Sequence, residues 1–202
     1  MSKTKLFALA RAWDSAAVRQ LLVESPDLVG ARDAKGRTAL HYCAGAPASS
    51  EGASARASVA TARELLKAGA DLNAVHEIPD HGEIFPATPL WYALARGRNG
   101  SLAEFLLQQG ADPDHCLWTV IWFDEAEWVR KLLAAGSKTE IRAEGATPLI
   151  YAARLGREKA ILHLVAAGAN TGARDAQGRT AADLARKKRL SPAILAALDG
   201  EP

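Results

Sequence analysis

The chain has 202 residues, a formal net charge of +2 and 49% apolar residues. That balance lacks the basic excess of a dedicated nucleic-acid binder and the charge field that would hold a protein to an anionic membrane. Cys43 and Cys116 are too few for a disulfide framework and lack zinc-site spacing, so both are expected as buried thiols in a reducing compartment. The residues from Met1 to Trp13 hold only a short apolar run broken by Arg11, and no stretch approaches the roughly 20 apolar residues that span a bilayer, so a cytoplasmic protein is expected.

The segment from Thr147 to Arg179 is a 33-residue unit that recurs along the chain. Thr147-Pro148-Leu149 opens a first helix, Ala152-Ala153 and Gly156 close it, and Leu164-Val165 marks a second helix 17 and 18 residues after the threonine. Gly168-Ala169-Asn170 and Asp175-Ala176-Gln177-Gly178-Arg179 then lead to the next copy. Self-similarity at this period points to stacked repeats rather than one wound core. The wording closely resembles the ankyrin repeat. That resemblance implies an all-α solenoid of stacked helix-turn-helix pairs with short β-hairpin fingers, binding other proteins through its concave face and finger tips. The expected organisation is a single domain over 1–202, with repeats at 4–37, 38–87, 88–114, 115–146, 147–179 and 180–202.

In chain order, the first copy opens at Thr4, reaches Leu21-Leu22 at the reference distance and reads as an amino-terminal cap. Asp33-Ala34-Lys35-Gly36-Arg37-Thr38 supplies the turn into the second copy, with Gly36 expected at positive φ. The second copy runs from Thr38 to Leu65-Leu66, a gap of 27 residues instead of 17. The ten extra residues fall within Gly45 to Ser58, whose Gly, Ala, Pro and Ser content predicts a mobile loop. The finger before Thr88 is seven residues longer than the reference, and its Ile84 and Phe85 are expected to project outward. The fourth copy, counted back from Leu132-Leu133, opens at His115; only five residues separate Gly110 from that position, so its finger is almost absent. The fifth copy is the reference, and the sixth, from Thr180, reads as the carboxyl-terminal cap.

On each first helix the positions four, seven and eight after the opening residue share one stripe. The three tyrosines, Tyr42, Tyr92 and Tyr151, all fall at the first of these positions. Arg96, Trp122, Phe123, Arg154 and Lys187 occupy others. Tyr, Trp and Arg are the usual carriers of binding hot spots, and exposing Trp122 beside Phe123 would leave an apolar patch of the kind that marks a contact site. The same spacing also lets each tyrosine fill the gap between adjacent first helices with its hydroxyl in water. Trp91 and Trp118, one position earlier, are expected to be structural, as is His41. Arg11, Arg96, Arg154, Lys187 and Lys188, with Lys35, Arg37 and Arg179 on fingers, face few acids besides Glu144, which suggests a protein partner with an acidic surface.

His76 and His81 flank Glu77 and Asp80, but their spacing of five and the intervening Pro79 do not make a helical zinc-protease site. No nucleophile is placed beside a base by this register, and no phosphate-cradling glycine loop appears. No enzymatic activity, cofactor or metal is therefore expected. The functional expectation is a module, monomeric on its own, that binds one protein partner through the stripe and the long finger. The alternative is an inhibitor or immunity-type antidote that blocks a partner enzyme. The enlarged finger next to the missing one, with Tyr92, Arg96, Trp122 and Phe123, is where contact is expected first.

Overall fold

Threonine ends the extended finger and starts the helix at most copies. In the computed structural model, which describes residues 2–48, 53–80 and 82–200, Thr38, Thr88, Thr147 and Thr180 all hold extended backbone at helix N-caps. The Thr88 hydroxyl accepts from the Trp91 amide at 3.3 Å and Thr147 from Ile150 at 3.4 Å, which satisfies amides that have no partner within a helix. Proline at the first helical position in Thr88-Pro89 and Thr147-Pro148 adds a backbone angle already suited to the helix. The first copy begins two residues before Thr4: Ser2 is the cap and accepts from the Thr4 amide at 3.2 Å.

The chain divides into two compact units, Met1–Asp112 and Pro113–Pro202. In the first, α1 (Lys3–Ala12) with α2 (Ser15–Glu24), α3 (Ala39–Gly45) with α4 (Ala53–Lys67), and α5 (Pro89–Ala95) with α6 (Gly100–Gln108) form three pairs. First helices pack on first helices, α1 on α3 on α5, and second on second, α2 on α4 on α6. The second unit repeats the scheme with α7 (Leu117–Trp122) and α8 (Ala126–Ala134), α9 (Pro148–Leu155) and α10 (Glu158–Ala166), and α11 (Ala181–Lys188) and α12 (Pro192–Asp199). Its core is carried by the first leucine of each second-helix pair: Leu132 and Leu164 are fully buried, whereas Leu133 and Val165 are half-buried. Val129 is buried as expected; Trp128 is only half-buried, with Lys131 over its ring.

The fingers are built by local polar chemistry. Asp33 accepts from the amides of Lys35 and Arg37 at 2.8 and 2.9 Å and from the Arg37 guanidinium at 2.7 Å. Asp175 does the same with Gln177 and Arg179, at 3.0, 2.9 and 2.8 Å. Gly36 and Gly178 sit at φ +85° and +75°, where a side chain would be strained. Arginines at the base of the fingers join neighbouring copies: Arg32, just before Asp33, donates to the Gly36 and Val75 carbonyls, and Arg142 donates to those of Gly145 and Arg174. Where the finger is missing, the Asp114 carboxylate accepts from the Lys138 amide at 2.9 Å and its ammonium at 2.7 Å.

The expected mobile loop at 45–58 is corrected in part. Residues from Ala53 onward are helical, extending α4 to 15 residues, because this half of the insert is rich in alanine, the strongest helix former. Ala48 donates its amide to the Gly97 carbonyl at 2.9 Å. Ser58 is buried and its hydroxyl accepts from the Asn99 side chain at 2.9 Å, docking the extension onto the next pair. Residues 49–52 lie outside the described residues.

His41 ties the start of α3 to the end of the long finger. Its Nδ1 accepts from the Thr38 amide at 3.1 Å, which leaves Nε2 to donate to the Ala87 carbonyl at 3.2 Å. Burial, only partly offset by that second bond, pushes its pKa down from 6.5 to about 4, so the folded protein holds it neutral. The unfolded chain takes up the proton first as pH falls, so stability contributed by His41 is complete above pH 6.5 and is lost toward pH 4. Chemical denaturation should show unfolding free energy falling by about 1.4 kcal/mol per pH unit across that window on account of this residue. His41→Gln should flatten the slope; an unchanged slope would contradict the assignment. Leu132→Ala should cost ~2 to 5 kcal/mol in the same assay.

Candidate protein-binding surfaces

The tyrosine position of the repeat is used for stacking. Tyr42 stacks on Phe7 of α1, with ring centroids 4.8 Å apart and planes 7° apart. Tyr92 meets His41 of α3 edge-on at 5.1 Å, and Tyr151 meets Trp118 of α7 at 5.1 Å. In each case an aromatic three residues after one opening position contacts the tyrosine four residues after the next. The rings thus form rungs between consecutive first helices.

Their polar ends differ. The Tyr42 hydroxyl donates to Asp33 at 2.8 Å and accepts from Arg37 at 2.9 Å. Burial alone would raise the Asp33 carboxyl, but the Arg37 amide, the Tyr42 hydroxyl and the Arg37 guanidinium outweigh it and hold the group well below the usual carboxylate range. Tyr92 is 5% exposed, packs against Gly45 so closely that a Cβ there would sit 2.7 Å from its ring, and shares a 2.7 Å hydrogen bond with His76 Nδ1. The expectation that Tyr92 offers a free face is corrected: its hydroxyl ties the long finger down instead. Tyr151 is half-buried, with the Arg154 guanidinium 5.1 Å above its ring.

The long finger pairs β1 (His76–Asp80) with β2 (Glu83–Ala87), and Pro79 stands opposite Ile84 and Ile78 opposite Phe85. Side chains alternate across a strand, so Ile84 and Phe85 cannot both face outward. Ile84 is 63% exposed, while Phe85 is half-buried with its ring 5.2 Å from Trp91. His81 lies outside the described residues, and His76 is buried. Among the described residues no cluster of three His, Cys, Asp or Glu is arranged to hold a metal ion.

In the second unit, Trp122 and Phe123 end α7 at 57% and 40% exposure. Their turn is held from the next pair: Arg157 donates to the Trp122 carbonyl at 3.0 Å and to Asp124, in left-handed backbone, at 3.3 Å. Lys187 is exposed on α11 and Arg96 at the end of α5. Two expected finger cations are already neutralised, since Arg37 and Arg179 pair with Asp33 and Asp175 at 2.7 Å each. Sequence reading missed this because the aspartate that shapes the turn is also the counterion. The Asp-x-x-x-Arg spacing in both fingers was the available signal.

Paired helices stacked on their neighbours, with hairpin fingers between, define a helical repeat protein. A family model described as "Ankyrin repeats (3 copies)" matches residues 51–175, more than half of the sequence, and the chain belongs to the ankyrin-repeat family. It is 32% identical over 127 residues to "Ankyrin repeat and SOCS box protein 11" of Pongo abelii and of Homo sapiens, covering 59% of this chain and 39% of each relative. It is 40% identical over 93 residues to "Protein PhlB" of Serratia liquefaciens, covering 42% of this chain and 41% of that protein. The chain thus spans about two fifths of the length of these curated relatives. Among solved structures, an ankyrin repeat domain from Acinetobacter baumannii AYE superposes with a TM-score of 0.76 at 27% identity over 98% of both chains. A second ankyrin repeat protein, at 22% identity and a TM-score of 0.73 over the whole of both chains, shares the fold. Ankyrin repeats are generally protein–protein interaction modules and typically non-enzymatic. No helix among the described residues is long and apolar enough to cross a membrane.

Two substitutions separate stacking from display. Tyr92→Ala should lower unfolding free energy by about 3 to 5 kcal/mol, since it removes a buried ring and strands His76. Trp122→Ala should change it by less than about 1 kcal/mol. Equal losses in denaturant titrations would contradict this division.

Proposed function

We propose that the protein is a non-enzymatic binding module for another protein, and that the observation carrying this reading is the adjacent, exposed pair Trp122 and Phe123 on a turn pinned by Arg157. Two large apolar side chains held in place cost little entropy on docking and bury much area, which is the profile of a hot spot. Arg154 and Lys187 lie at the position corresponding to Trp122 on the following first helices of the same unit, and with Tyr151, three residues before Arg154 on the same stripe, would form a polar, cationic rim. In the first unit, Ile84 on the outer face of the long finger and the exposed Arg96 would make further contacts. Tyr42 and Phe85 would contribute at most ring edges, because each ring is engaged by an aromatic neighbour.

The cations on these surfaces favour a partner with an acidic surface. Both cysteines are buried thiols, which suits a reducing cytoplasm, and we read the protein as monomeric until it meets its partner.

Affinity capture from an extract of the native source tests the reading. The wild-type chain should retain a partner whose binding weakens with salt. Trp122→Ser with Phe123→Ser should weaken capture by at least about tenfold while melting stays unchanged. Equal capture by the double variant would overturn it. An enzyme that is captured and whose turnover stops on binding would make the module an inhibitor.

A further inference from the structure

The first unit contains a second polar site that protein docking alone does not explain. A cavity of about 210 Å³ opens beside the ends of α1, α3 and α5, with Arg11, Arg37 and Arg96 on its wall and Tyr42, Tyr92 and His41 beneath. Arg37 is fixed by Asp33 and by the Tyr42 hydroxyl, and its guanidinium lies 4.8 Å from the Tyr42 ring centre. Arg96 is placed by the aromatic faces of Trp91 and Tyr92, 5.7 and 5.5 Å from their centres. Neither Arg96 nor Arg11 has a carboxylate or hydrogen-bond partner for its guanidinium among the described residues. The lining holds three guanidiniums and, among the described residues, no carboxylate, and Asp33, bonded to Arg37 beside it, already serves that arginine.

The neutral groups in and behind the floor, Tyr92 and the His76 bonded to it, agree with a local positive field. Burial, then repulsion from Arg37 and Arg96 only partly offset by Asp33, holds His76 below its ordinary value. Burial raises the Tyr92 phenol, against the pull of Arg96 and Arg37. Neither His41 nor His76 therefore adds charge near neutral pH, and the surplus resides on the arginines.

We propose that this cavity is an oxyanion site that takes a phosphate monoester, with Arg11 and Arg96 as direct ligands and Arg37 positioned by Asp33 as the third. Two unpaired guanidiniums match the two charges of a monoester at neutral pH, and planar N–H forks suit phosphate oxygens. A volume of about 210 Å³ admits one such group with the first atoms of its carrier. Where the monoester is the phosphorylated side chain of a partner protein, the site rests on the reading of this chain as a protein-binding module. Where it is a small molecule, the site stands independently of that reading.

Amide-resolved NMR titration of the full chain tests the site, with inorganic phosphate, a phosphoserine-containing hexapeptide, its unphosphorylated form and its glutamate form as probes. The phosphoserine peptide should shift the amides of Tyr42, Gly45, Ala46 and Arg96 saturably. Arg96→Gln or Arg11→Gln should weaken it by about tenfold each at unchanged melting temperature. Inorganic phosphate binding as tightly as the phosphopeptide would support the site with a small-molecule ligand. Absence of saturable shifts, equal affinity in the variants, or a glutamate peptide binding as well as the phosphopeptide would overturn it. Because the Trp122 and Phe123 capture experiment reads the other unit, either proposal can fail alone.

Discussion

A helix pair of about twenty residues has two apolar faces and no interior of its own, so each pair is stable only when pressed between neighbours. This constraint governs almost every residue in both units. Within each unit the second helices pack on one another with Leu21, Leu65, Leu106, Leu132 and Leu164 buried, and the first helices are joined by aromatic rungs: Phe7 with Tyr42, His41 with Tyr92, Trp118 with Tyr151. Glycine appears where backbones must come close, as at Gly97, where an added Cβ would collide with the Ala44 carbonyl. Polar groups reinforce the same joints. Arg32 reaches Val75 one copy onward, and His41 reaches Ala87 at the end of the finger that leads into the next copy.

The regular part of this scheme was legible because it repeats. Thr38, Thr88, Thr147 and Thr180 cap helices at the positions that the 33-residue ruler predicts, and Gly36 takes its positive φ. Of the departures from the ruler, the long finger is a hairpin as expected, whereas the conformation of the insert was misread in part. Composition made 45–58 look like a loop, whereas alanine content and the docking of Ser58 on Asn99 make its described second half a helix. The rank of three tyrosines was visible as well. Its meaning was not, because spacing places a ring on the stripe without saying what stands beside it. Only the neighbouring helix reveals that Tyr92 is enclosed by His41, His76 and Gly45.

Function is accordingly sought in what stacking leaves over. Trp122 and Phe123 occupy stripe positions, yet they remain exposed. Arg157 holds their turn through the Trp122 carbonyl and the Asp124 carboxylate. In the first unit, Arg11 and Arg96 are charged groups that no carboxylate among the described residues answers, whereas the finger arginines, Arg37 there and Arg179 in the second unit, are answered within their own turns. Surplus apolar area in one unit and surplus positive charge in the other are separate resources, and each makes its own demand on a ligand.

Hydrogen–deuterium exchange of the protein alone and with its captured partner tests most directly whether binding uses the surface that stacking spares. Slowed exchange should concentrate at 117–124 and around Ile84, with little change along the second helices α8, α10 and α12. Protection confined to those second helices, with 117–124 unaffected, would contradict the account.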